Sequence, residues 1–386
     1  MSVFITFAAA LLIFGAVIAI HEFGHFAVAK LCGVQVNEFS IGMGPTLIKT
    51  YRKGTQYTLR LLPVGGFVAL EGEESPESQQ AEKGERPDAE PQTPPSCADA
   101  DGSPDGETGN AEAPAQLVGK PLNEAAVWQR ALIMAAGAFM NFLLGFVVMV
   151  VLIAAQSEPI TSRVIYAIDD GALCGQTGLE AGDKVLAVNG RRCFVANDML
   201  YELMRTEDYS ARFTVLRGGE KVELPCVRFD TWQDDSGETH MSLGFTVYGI
   251  RKTPANVVKE AWNSVLYYGR IIFTSLMDLL RGRESINDLS GPVGIVTAIG
   301  QAASYGWQDL LQLLVLITVN LGIFNLLPFP ALDGGKVVFL LIEGVTGHAV
   351  PEKIQSGLTL AAFALLFGLM LFATYNDIVR LITGAV

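Results

Sequence analysis

Residues 1–25 read MSVFITFAAALLIFGAVIAIHEFGH, an uncharged run from Met1 to Ile20 followed at once by His21-Glu22-Phe23-Gly24-His25. A charge-free stretch of this length is what a helix needs to cross about 30 Å of hydrocarbon, so the chain is predicted to begin with a membrane span. In a helix, positions i and i+4 share a face. The two imidazoles can then hold one Zn2+, with the intervening glutamate beside the metal's water as general base. Two hydrogen-bonded histidines in an ordinary buried helix would fit the same five residues. Placement favours the metal, because a carboxylate and two imidazoles at membrane depth are costly unless they serve a site or face a cavity.

Composition agrees with several spans and one small folded unit outside them. Half of the 386 residues are hydrophobic and the mean hydropathy is +0.35. The net charge of -13 says little about the surface as a whole, since much of the excess acid lies within residues 71–112. No basic patch suits nucleic acid, and no nucleic-acid partner is expected. Cys32, Cys97, Cys174, Cys193 and Cys226 are scattered, odd in number and without CxxC spacing. Neither a disulfide framework nor a thiolate metal site is indicated; a Cys193–Cys226 bridge is the alternative to free buried thiols. With no basic segment and no A-x-A-like site ahead of His21, the first run is expected to be a retained span rather than a removed signal peptide.

Three further apolar runs extend the pattern. Residues 131–155 carry no charge, and residues 358–375 are shorter but equally clean. Residues 310–327 include Gln312, Thr318, Asn320 and Asn325, which would be expensive against lipid and are expected to face the protein interior. The predicted spans are 1–31, 126–156, 308–335 and 356–383, which puts both termini on one side. Residues 35–71 alternate apolar and polar positions around Gly42, Gly44, Gly65 and Gly66, as short strands do. They form either a small sheet at the membrane surface or one that dips to the site and holds substrate as an added strand. Residues 72–116 are Glu, Pro, Ser, Gly and Asp with almost no large apolar side chain, and are expected to be a disordered acidic loop.

Residues 160–232 are expected to fold as a separate α+β domain. Its phrase GLEAGDKVLAVNG, residues 178–190, gives a helix end, a turn, a strand and an Asn-Gly turn, and resembles the PDZ signature. PDZ domains take a peptide as an added strand, although the same fold can serve as a spacer. Residues 253–283 place Val257, Val258, Ala261, Val265, Leu266, Ile272, Leu276 and Leu280 at helical intervals among Lys259, Glu260, Arg270 and Asp278. That pattern suits an amphipathic interfacial helix better than a fifth span. Lys30, Lys49, Arg52, Lys53 and Arg60 follow the first span and none precedes it. The positive-inside rule then puts residues 35–116 in the cytosol, with the PDZ-like domain and both termini extracytoplasmic. The expected architecture is a polytopic α-helical membrane protein of four transmembrane helices, with a membrane-associated β-hairpin or sheet and one extracytoplasmic PDZ-like domain.

Two histidines leave a catalytic zinc one protein ligand short. Leu31 stands where a metzincin would have its third histidine, and the other histidines are His240 and His348. Residues 325–335, NLLPFPALDGG, interrupt the third span with two prolines, allow close backbone approach with two glycines, and set Asp333 among apolar neighbours. Alone, this is a turn in which Asp333 caps the next helix. Beside HEFGH it becomes the candidate third ligand.

The pairing of HEFGH in the first span with NLLPFPALDGG in the third resembles the site-2 protease family of intramembrane zinc metalloproteases, in particular its bacterial regulator-of-sigma-E protease branch. FSIGMGP at 39–45, LPVGGFV at 62–68, Ala136-Gly137 through Asn141, and SGPVGI at 290–295 extend the likeness over most of the chain except residues 72–116. The resemblance implies Zn2+ held by His21, His25 and Asp333, Glu22 as catalytic base, and Asn325 positioning substrate or stabilising the oxyanion. It also implies a multi-pass protein of a bacterial cell membrane, with its active site toward the cytoplasmic side. The implied partners are the lipid bilayer and single-span membrane protein substrates, pre-trimmed and then cut within the transmembrane helix, such as an anti-sigma factor or a remnant signal peptide. Only one PDZ-like domain fits here, whereas some members carry two, and the acidic insert departs from the pattern. A non-catalytic PDZ-bearing adaptor would not need His21, Glu22, His25 and Asp333 all intact. A surface metalloprotease with a simple anchor is disfavoured by four spans and an Asp333 inside the third.

Overall fold

A backbone surrounded by hydrocarbon must pair its own amides, and a helix does so within one segment. In the computed structural model, which describes residues 3–73, 119–206, 208–234, 237, 239–283, 285 and 289–383, the first apolar run accordingly continues as one helix through the histidines, α1 (Val3–Leu31). β1 (Val36–Arg52) and β2 (Thr55–Leu70) follow, paired antiparallel. Glu38–Ile41 is flanked on one side by residues 56–59 and on the other by residues 66–69. Among the described residues the stretch 66–70 therefore pairs on one side only, and β2 lies against α1. The acidic loop expected at 72–116 falls outside the described residues from position 74 onward.

α2 (Val127–Ala155) is the second long apolar helix. Beyond it, β3 (Ile160–Ile168), α3 (Leu173–Gln176), β4 (Lys184–Val188), β5 (Arg191–Arg192), α4 (Ala196–Met204), β6 (Ser210–Arg217) and β7 (Glu220–Arg228) build a sheet domain. β8 (Asp230–Gln233) and β9 (Thr239–Ser242) pair as a hairpin. β10 (Phe245–Ile250) then returns to the sheet, whose order is β10-β3-β4-β6-β7 with β5 beside β4. The sheet thus reaches past the 160–232 drawn from the sequence, because β10 pairs with β3 from beyond an intervening hairpin. Ile165, Leu179, Val185, Val188, Met199, Phe213 and Val215 form its core. The phrase at 178–190 is fastened by Arg217, whose guanidinium donates to both Asp183 carboxylate oxygens at 2.7 Å and to Gly178 O at 2.7 Å. Cys193 is buried and Cys226 exposed, both free thiols, which excludes the bridge between them.

α5 (Pro254–Leu280) opens on Thr253, whose hydroxyl accepts from Asn256 N at 3.2 Å, with Pro254 in the first turn. One apolar face, Val257, Ala261, Val265, Tyr268 and Ile272, is buried in a core shared with α2 and residues of the third apolar run. Val258, Trp262, Leu266 and Phe273 remain exposed on another. Arg270 reaches from α5 to Asp198, and Arg205 to Asp278 at 2.5 Å, which fastens the sheet domain to this helix.

α6 (Pro292–Tyr305) and α7 (Trp307–Leu326) come next. Of the polar residues in the third run, Thr318 is buried and Asn325 half-buried, whereas Gln312 and Asn320 lie on exposed positions, contrary to the expectation that all four face inward. A helix cannot turn 318 and 320 to one side, since two residues rotate it by about 200°. Gln312 instead donates to Tyr268 Oη at 2.9 Å. α7 stops at Leu326, and residues 327–332, with Pro328 and Pro330, separate it from α8 (Asp333–Thr346). The segment 308–335 is therefore two helices with a break. A Cβ on Gly335 would come within 2.6 Å of Pro330 Cα, so the break can fold back on α8 only over glycine. α9 (Glu352–Thr383) closes the chain. Among the described residues, α1, α2, α7 and α9 are the helices long and apolar enough to cross a membrane.

Candidate metal centre

One turn apart on α1, His21 and His25 turn their rings edge-on at a centroid separation of 4.8 Å, with Nε2 atoms 3.2 Å apart. Asp333, the first residue of α8, brings Oδ2 to 3.0 Å from His21 Nε2 and 3.3 Å from His25 Nε2. These three ligand atoms lie within 4.8 Å of one another, and no other such group of His, Cys, Asp or Glu occurs among the described residues. Two imidazole nitrogens and one carboxylate oxygen, converging with little exposure, are a donor set that fits a catalytic zinc with one position open.

The surroundings prepare these atoms. His25 Nδ1 donates to Ile133 O on α2 at 2.7 Å, which leaves Nε2 without a proton and able to coordinate. α2 passes so close that a Cβ on Gly137 would come within 2.6 Å of His21 Cε1, and closer still to His25 Nε2. Gly24 meets the backbone of Ala136 in the same way, so two glycines, one on each helix, let α1 and α2 touch at the site. Glu22 is half-buried, and a Cβ on Gly66 of β2 would stand 3.2 Å from its Cγ. The sheet edge therefore runs directly beside that carboxylate. Asn325, in the last turn of α7, holds Nδ2 at 3.5 Å from His21 Nδ1. His240 belongs elsewhere, paired with Asp234 and stacked on Trp232, and His348 is exposed and bonded to Thr346.

Sequence reasoning placed His21, Glu22, His25, Asn325 and Asp333 as candidates, and the fold brings the three proposed ligands and Asn325 to one point. It assigned no role to α2. Ile133, Gly137 and Asn141 lie four residues apart and so share the face that meets both imidazoles. The available signal was the pair Gly137 and Asn141 at i, i+4 in an otherwise apolar span. Lys336, one turn past Asp333, was also missed; its Nζ donates to Glu73 Oε1 at 2.7 Å.

Residues 9–369 match Peptidase family M50. Over 96% of this chain and 97% of its own length, a candidate zinc metalloprotease of Clostridium perfringens is 32% identical. The zinc metalloprotease RasP of Geobacillus kaustophilus is 31% identical over 95% of this chain and 96% of its own. The regulator of sigma-W protease RasP of Bacillus subtilis is 29% identical over 97% and 99%. Their names make Zn2+ the expected cofactor, and the four apolar helices fit a multi-pass membrane protein. The chain belongs to peptidase family M50, the site-2 proteases, and is a zinc metalloendopeptidase of that type.

Proposed function

We propose that this protease hydrolyses peptide bonds within the transmembrane helices of single-span membrane proteins already trimmed by an earlier cut. In this reading His21, His25 and Asp333 are the zinc ligands, Glu22 is the general base and Asn325 stabilises the oxyanion. The observation that carries it is the convergence of His21 Nε2, His25 Nε2 and Asp333 Oδ2 within 4.8 Å, from helices of which α1 is apolar enough to span a membrane.

Zinc, when bound, polarises the scissile carbonyl and lowers the pKa of a water. Glu22 takes that water's proton and passes it to the leaving amine, a transfer its place between the two histidines allows. Asn325 donates an amide N–H to the developing oxyanion without bringing a charge of its own into the cavity. A substrate helix has every backbone group paired and must unwind before attack. The stretch 66–70, paired on one side and beside Glu22, is suited to receive the unwound segment as an added strand.

The basic residues after α1 support a cytosolic β1–β2 region, with the sheet domain and both termini outside. There the domain, read as PDZ-like, would obstruct a substrate with a large external portion and admit a trimmed one. A relative named for sigma-W regulation supports substrates of the anti-sigma type.

The decisive experiment incubates purified full-length protein with a single-span reporter substrate. Glu22→Gln should keep zinc at the wild-type stoichiometry and lose cleavage by at least about a hundredfold, the range of general-base catalysis. Near-normal turnover by that variant would overturn the mechanism.

A further inference from the structure

Asn141 has no exposed surface, so it cannot touch a substrate. Its amide approaches His21 from the side away from the other ligands. Asn141 Nδ2 lies 3.2 Å from His21 Nδ1, whereas His21 Nε2 is the atom 3.0 Å from Asp333 Oδ2. The Asn141 Oδ1 is buried and has no hydrogen-bond partner. Two donors thus crowd one ring nitrogen, since Asn325 Nδ2 also lies 3.5 Å from Nδ1, while a buried acceptor next to it goes unused.

Metal ligation removes the conflict. An imidazole that coordinates through Nε2 carries its proton on Nδ1, and an Nδ1–H needs an acceptor. The two ends of a carboxamide are nearly isosteric, and a half-turn about χ2 exchanges them. That half-turn moves Nδ2 away and sets Oδ1 on His21 Nδ1–H, the donor that a ligating ring presents. It also releases Asn325, whose amide N–H then has no acceptor on His21 and remains available to the reaction. His25 meets the same need through Ile133 O at 2.7 Å, one face of α2 thereby serving both rings.

We infer that Asn141 is the positioning residue for His21: its amide oxygen fixes the Nδ1–H tautomer and leaves Nε2 bare toward zinc. The inference rests on the reading of His21 as a ligand. It differs from the bland alternative, in which Asn141 only ties helices together, a role its backbone carbonyl already has by accepting from Thr318 Oγ1 at 3.2 Å.

Zinc affinity of the full chain in detergent, measured by competition with a chelator, tests it. Asn141→Leu should weaken zinc binding 10- to 100-fold, the usual effect of losing such a partner. Asn141→Asp, which keeps an oxygen at the same place, should stay near wild type, and in a His21→Ala background Asn141→Leu should add nothing further. Wild-type affinity in Asn141→Leu, with only the thermal stability of the zinc-free protein lowered, would overturn the inference and leave the ligand assignment standing. Unchanged affinity in His21→Ala would overturn both. Should Asn141→Leu not fold, the ring nitrogens of zinc-free 15N-histidine-labelled wild type decide: a protonated Nδ1 and bare Nε2 on His21 support the inference, a bare Nδ1 sinks it.

Discussion

The helical region and the sheet domain treat buried polarity differently. Among the described residues each buried acid of the domain has an arginine: Asp183 with Arg217, Asp198 with Arg270, Glu202 with Arg191. In the four long apolar helices, by contrast, His25 bonds a backbone carbonyl, Thr318 does likewise, Asn141 meets a ring nitrogen and Asp377 holds two backbone amides. An arginine can keep part of its guanidinium in water while its partner is buried, as the 29% exposure of Arg217 beside a fully buried Asp183 shows. Hydrocarbon offers no such outlet, so polar groups there are held by the backbone or by one another. Substitutions in the helices should therefore strike the chemistry before the fold, and those in the domain the fold before the chemistry.

The sharpest break between the two is expected at Gly137. Alanine there would push a methyl against His21 Cε1 and His25 Nε2. Elsewhere in a helix the same change is favourable by up to about 1 kcal/mol. Gly137→Ala should lower zinc affinity by at least about a hundredfold, the upper end of what disturbing a ligand's orientation does, while the zinc-free protein melts no earlier than wild type. Full zinc occupancy in this variant would mean that α2 can withdraw, and that its contact with the site is incidental.

What the sequence discloses follows the same division. The four apolar helices are legible because membrane insertion imposes a composition on every residue of a span. HEFGH is legible because its geometry is local, one turn of one helix. Asp333 was legible only beside HEFGH, since 308 positions separate it from His25 and its own stretch read alone is a turn with a helix cap. Gly137 and Asn141 entered only as part of the likeness and without a role, for a further reason: their partners are two rings on another helix, and a glycine in an apolar span has many uses. β10 was missed because its pairing with β3 spans most of the domain, and strand registers across such distances leave no mark in a single sequence.

The domain's side of the comparison is tested at Arg217. Arg217→Ala would leave the Asp183 carboxylate with one remaining side-chain hydrogen bond, from Glu180 N at 3.0 Å. Removing one partner of such a pair costs about 3 kcal/mol or somewhat more. Hydrogen exchange at β4 and β6 amides of the full chain should then quicken about a hundredfold, as that free energy sets for opening by local unfolding. Zinc content should not change. Lost zinc with unchanged exchange would show that the domain supports the metal centre rather than only itself.

Asp377 carries the smallest expected effect and asks whether every buried polar group among the helices serves the site. It projects from α9 to the start of α6, where its carboxylate accepts from Gly291 N at 3.2 Å and Gly294 N at 2.7 Å. These are amides that the first turn of a helix leaves unpaired, so a side chain from another helix supplies the cap that α6 lacks locally. The SGPVGI stretch acquires a structural reason: a Cβ on Gly291 would come 2.8 Å from Asp377 Oδ2, so glycine lets the carboxylate in. Losing a cap costs about 1 kcal/mol. Asp377→Ala should thus lower the melting temperature of the detergent-solubilised protein by a few degrees, and Asp377→Asn by less, because the amide keeps one acceptor. Both should bind zinc and cleave the reporter as wild type does, since Asp377 contacts none of the proposed ligands. Loss of cleavage at unchanged stability would join α6 and α9 to the catalytic apparatus, although Asp377 touches none of the proposed ligands.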